Sequence, residues 1–114
     1  MPNNINKIIN EFVEKVKQIL GENLKSIILY GSYARGDYKK NSDIDIMILT
    51  DLNNDKIIEY RNKIWDCAYE FEYENNVIIS PLIKNIDYFN SWVEAKPFYI
   101  NIIKEGVILN GKKD

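Results

Sequence analysis

The reading of this chain turns on residues 29–49, LYGSYARGDYKKNSDIDIMIL. An apolar strand, Ser26–Tyr30, ends at Gly31-Ser32, and ten residues later a second strand, Asp43–Thr50, opens with Asp-x-Asp. Between Asp43 and Leu49 every residue except Asp45 is apolar, so packing gives no reason for the two acids. Side chains alternate along a strand, so Asp43 and Asp45 share one face with Cα atoms about 6.5 Å apart, while Ile44 and Ile46 face the other way, into the core. Unneutralised, two carboxylates about 5 Å apart at an effective dielectric of about 20 repel by roughly 3 kcal/mol. A bound divalent cation turns that cost into affinity.

The Gly-Ser turn supplies the complementary half. A strand that ends in glycine and runs into a short helix exposes free backbone N–H groups. Gly31, lacking a Cβ, lets a phosphate approach the main chain. Ser32 adds a hydroxyl donor and Arg35 a charged fork one turn later, with Gly36 ending the helix. If the second strand folds back beside the first, turn and acids meet. A nucleoside triphosphate there would rest its phosphates on the turn and its metal on the acids, as phosphoryl or nucleotidyl transfer requires.

Outward from this stretch the chain reads as alternating helices and strands. Ile5, Ile8, Ile9, Phe12, Val13, Val16, Ile19 and Leu20 form one helical face. Asn3 or Asn4 is suited to cap that helix, and Gly21 to end it. Asp51–Asp55 is a turn leading into a long helix to about Tyr73, with Ile57, Ile58, Ile64, Trp65, Ala68 and Phe71 on its buried side and Asn75-Asn76 at its end. Val77–Lys84 is a third strand, which Pro81 places at an edge or a bulge. Asp87–Trp92 forms a helical turn. Pro97 suits the start of a last helix bearing Ile100 and Ile103 on its face, and Val107–Leu109 closes as a short strand. The expected fold is α/β (α+β), one small mixed sheet packed with helices in the order α-β-β-α-β-α-β.

Composition narrows the chemistry. A length of 114 residues fits one domain, 1–114, and 46% hydrophobic residues suffice for its core. A net charge of -2 argues against a nucleic-acid partner. The sequence has no histidine, which rules out a Ser-His-Asp triad and histidine-ligated zinc. Any metal would be a hard cation on oxygen ligands. Cys67 is the only cysteine, no apolar run is long enough to span a membrane, and Met-Pro-Asn-Asn lacks the character of a signal peptide. A cytoplasmic location is expected.

At Gly31-Ser32, residues 33–42 and Asp43-Ile44-Asp45, the chain resembles the DNA polymerase β-like nucleotidyltransferase superfamily. It is most similar to the minimal nucleotidyltransferase (MNT) group, and the flanking Tyr-Ala-Arg-Gly and Asn-Ser-Asp are also similar. The resemblance implies magnesium-dependent transfer of a nucleoside monophosphate, AMP from ATP, to a hydroxyl, with release of pyrophosphate. Asp43 and Asp45 would be catalytic and hold Mg2+. Gly31 and Ser32 would hold the β/γ-phosphates, and Arg35 would neutralise their charge. It further implies an antitoxin role beside a helical HEPN-type protein partner, a tyrosine of which would be the acceptor. The family places a third carboxylate on the following strand; here Val77–Ile83 contains none, and Ser80 is its only polar residue. That departure favours a second reading, a nucleotide-binding antitoxin module that acts by covering its partner.

Overall fold

The computed structural model describes residues 3–111. Helix α1 (Asn3–Leu20) buries seven of its eight expected face residues, with Ile19 half-buried. It already runs at Asn3, so Asn3 and Asn4 lie within the helix instead of capping it. Gly21, at φ 54°, ends it into a 3-10 turn. Strand β1 (Leu24–Tyr30) follows, then the short helix α2 (Ser32–Arg35), strand β2 (Ile44–Thr50) and the long helix α3 (Asn54–Asn75). The remaining elements are β3 (Ile79–Asn85), α4 (Ile86–Trp92), α5 (Pro97–Glu105) and β4 (Val107–Gly111).

The sheet order is β3-β2-β1-β4. β1 is antiparallel to both β2 and β4, and β2 is parallel to β3. A parallel pair needs a crossover, which α3 supplies. The sheet is thus mixed, as expected. β3 is an edge strand, which accommodates Pro81. The Ile44 N–H donates to the Ile78 carbonyl, and the parallel alternation from that bond turns the N side of residue 81 away from β2.

Both sheet faces are covered. Ile27, Leu29, Ile44, Ile46, Ile48, Ile79 and Ile83 pack under α1 and α3. Ile28, Met47 and Leu49 pack under Phe89 of α4 and Tyr99 and Ile102 of α5. Asp45 belongs by alternation to the second face, one step beyond the cover that α4 and α5 provide.

Four expectations shift. The third strand begins at Ile79 rather than Val77, and Asp43 precedes β2 instead of opening it. Ile58 is 58% exposed, because the α3 stripe that meets the sheet runs through Ile57, Ile64, Cys67, Ala68 and Phe71. In α5 the buried residues are Tyr99 and Ile102, whereas Ile103 is 39% exposed and Ile100 half-buried. The larger Tyr99 ring packs against Phe89 at a tilt of 37° with centroids 4.8 Å apart, which sets the rotation of the helix.

Phe12 is fully buried and meets Phe71 edge to face at 5.8 Å, joining α1 to α3. Phe12→Ala should cost about 3–5 kcal/mol of unfolding free energy. A urea titration that shows a loss below ~1 kcal/mol would mean that the α1–α3 seam is not the main core.

Candidate active site

The antiparallel register sets Tyr30 opposite Asp45, so the turn after β1 lies directly on the acid of β2. Gly31 has φ 75° and ψ -155°, a conformation open to glycine almost alone. A Cβ built there would fall on the Asp45 carboxylate. Closeness of main chain to carboxylate is thus achieved by removing a side chain, not by a hinge motion. Helix α2 then begins at Ser32. The Ala34 and Arg35 N–H groups both donate to the Gly31 carbonyl. Those of Ser32 and Tyr33, in the first helical turn, have no intrahelical acceptor. Gly36, in the left-handed region at φ 89°, ends the helix.

Asp43, Asp45 and Ser80 form the acidic side. Parallel pairing places Ser80 beside Asp45. The Ser80 hydroxyl donates to Asp43 Oδ2 at 3.2 Å. Asp43 therefore lies on the face that carries Asp45. The Asp45 carboxyl is held above its ordinary range, first by burial and then by the charge of Asp43, with Arg35 opposing. Such a conflict is what a divalent cation relieves. Among the described residues no three His, Cys, Asp or Glu side chains cluster. A hard cation suits this pair of acids, with its other ligands drawn from substrate oxygens and water.

Tyr30, Gly31, Ser32, Arg35 and Asp45 line a cleft of about 390 Å³. Its far wall is one face of α5: Phe98, Asn101, Ile102 and Glu105. The Tyr30 ring meets Phe98 edge-on at 5.6 Å. Burial, and then the Asp45 charge, push the Tyr30 phenol up to about 12, so it stands neutral beside the acid. A larger groove of about 790 Å³ runs along α1 and α3, on the other side of the sheet. It lacks a glycine turn and has no acids paired through a strand.

Every residue expected in the site except Asp43 lines this cleft; Asp43 is bonded to Ser80, which pairs with Asp45. Arg35 is not free: its Nε donates to Asp37 Oδ2 at 3.2 Å and its Nη1 to Glu105 Oε2 at 3.1 Å. Lys39 and Lys40 stay on an exposed loop outside the cleft, where the Lys39 N–H donates to Ser42 Oγ. Cys67 is buried, with its thiol pushed up by burial and then by Glu70, and is no nucleophile. The α5 wall was missed from sequence. Its signal was present in the spacing of Phe98, Asn101, Ile102 and Glu105, but reading Ile100 and Ile103 as the buried face turned that stripe away.

Residues 6–110 match the Nucleotidyltransferase domain family. A Methanocaldococcus jannaschii protein provisionally named a protein adenylyltransferase is 36% identical over 106 residues, covering 93% of this chain and 98% of its own. A provisionally named nucleotidyltransferase structure from Sulfolobus solfataricus superposes with a TM-score of 0.61 at 22% identity, over 93% of this chain and 79% of that one. A chain from a crystal structure of a toxin–antitoxin with AMP-PNP gives 0.56 at 20% identity, over 91% and 74%. These two structures share the fold. With the family pattern running through almost the whole chain and a relative aligned along nearly its full length, this protein belongs to the nucleotidyltransferase domain family.

Proposed function

We propose that this nucleotidyltransferase moves AMP from ATP to a hydroxyl of a protein partner, as the antitoxin of a HEPN/MNT-type pair in the cytoplasm. The observation that carries this reading is the contact of the Gly31 turn with the Asp45 carboxylate, which joins a phosphate-binding backbone to a metal-binding pair. The relative's name supports protein adenylylation, and the toxin–antitoxin neighbour with AMP-PNP supports nucleotide and partner.

The N–H groups of Ser32 and Tyr33 and the Ser32 hydroxyl donate to the β- and γ-phosphate oxygens. Arg35 neutralises phosphate charge. Asp43, steadied by Ser80, and Asp45 form the metal pair. Magnesium bound there supplies charge neutralisation at the reacting phosphate. The acceptor oxygen forms a bond to the α-phosphorus, and the bond from that phosphorus to the bridging oxygen breaks. Pyrophosphate leaves, and the hydroxyl proton passes to water.

The test is incubation with α-labelled ATP, magnesium and the product of the neighbouring gene. Label should appear on that product with the wild type and vanish with Asp43→Asn. Stable complex formation without any label would support the second reading, a module that acts by binding alone. The Ser80 hydroxyl, where a third acid would stand, favours that alternative. Ser80→Asp adds a carboxylate beside Asp45 and should tighten magnesium about tenfold, since affinity for hard cations follows ligand charge. Calorimetric titration checks this, and unchanged affinity would place residue 80 outside the metal's reach.

A further inference from the structure

The α5 wall of the cleft ends in Glu105, which holds one arm of Arg35 while Asp37 holds another. Asp37 is two residues from Arg35 and moves with it. Glu105 belongs to a different element, so its bond ties the end of α5 to the phosphate turn. An acid in the last turn of a helix sits at the unfavourable end of the helix dipole. The helix itself therefore gives no reason for Glu105; Arg35 does. The guanidinium N–H groups that meet these carboxylates also suit a bidentate phosphate. One N–H cannot serve both. The Arg35 and Glu105 side chains are 43% and 37% exposed, so the pair is solvated and readily exchanged.

We infer that Glu105 is an internal competitor for the nucleotide's phosphates: it occupies Arg35 in the empty cleft, gives way when triphosphate enters, and so sets the affinity of the site. This rests on the reading that the cleft takes a triphosphate. Glu105 acts through Arg35 and is a positioning residue, not a catalytic one. The same exchange loosens α5 from α2, so nucleotide uptake and the position of the α5 wall are linked.

Calorimetry of Mg-ATP with the full chain tests this in wild type, Glu105→Gln, Arg35→Gln and the double variant. Glu105→Gln should bind about three- to tenfold tighter at low salt, and the gain should shrink as ionic strength rises. Arg35→Gln should bind about tenfold weaker. In that background Glu105→Gln should add less than twofold, because the partner of the competition is gone. A Glu105→Gln protein that binds no tighter than wild type, or that gains equally without Arg35, overturns the inference and leaves the nucleotide reading standing. Loss of label transfer at unchanged affinity would make Glu105 a base and also overturn it. If folded wild type and folded Glu105→Gln both fail to take up nucleotide, the cleft assignment itself fails and the competitor role with it.

Discussion

Asp45→Asn should lower AMP transfer by about 10³-fold or more while making the folded protein more resistant to heat. The rate effect follows from removing half of the proposed two-acid metal site. Metal stabilisation of transition-state charge is worth several kcal/mol, and each ~1.4 kcal/mol is tenfold in rate. The stability effect has the opposite sign. Burial and the neighbouring charge of Asp43 raise the Asp45 carboxyl above its unfolded value. A raised carboxyl binds its proton more readily in the folded than in the unfolded state. Stability is therefore greatest on the acid side and declines as pH rises from the unfolded value through the raised folded one. Asparagine has no such titration. Its melting temperature should therefore exceed that of the metal-free wild type at neutral pH. The gap should close below pH 4 and narrow again when magnesium is added to the wild type. An Asn variant that melts lower at pH 7 and higher at pH 4 would reverse the sign and refute the buried-charge account.

Gly31→Ala should remove both stability and nucleotide uptake. The glycine's backbone conformation costs other residues about 1–3 kcal/mol. The added methyl would in addition land on the Asp45 carboxylate. Either Asp45 turns away from the turn or the turn opens, and each parts the proposed phosphate donors from the acids. A loss of about 3 kcal/mol or more in urea and at least about 100-fold in Mg-ATP affinity is expected, the affinity loss combining a displaced acid with a displaced turn. Gly36→Ala is the control. Gly36 also has positive φ, 89°, but a methyl there meets nothing within 4 Å. It should cost about 1 kcal/mol and leave affinity nearly intact. Equal losses from the two substitutions would show that backbone conformation alone, and not the closeness of turn to acid, makes position 31 sensitive.

Much of the fold was legible because its signals are local. The α1 stripe repeats at three and four residues and is buried almost as read. Positions 31, 36 and 76 take positive φ, where glycine or asparagine already marked an end. The acids and the turn proposed as the site stood out because Asp45 interrupts an otherwise apolar strand. The errors in helix rotation share one cause. Ile58, Ile100 and Ile103 are apolar, but hydrophobicity does not say which side of a helix a sheet will meet. Tyr99 and Cys67 won those places through contacts with residues far away in the chain.

By itself, then, the sequence determined which segments form helices and strands, where the chain turns, and that two carboxylates and a glycine turn stand at strand ends. Backbone propensity and side-chain alternation reach only a few residues along the chain, and these features need no more. Tertiary structure alone decided that Tyr30 pairs with Asp45, that the parallel register of β3 sets Ser80 against the acids, and that α5 brings Glu105 to Arg35 across seventy positions. Those juxtapositions depend on strand register and helix rotation. Burying both faces of one sheet at once settles these, and no local stretch of residues encodes them.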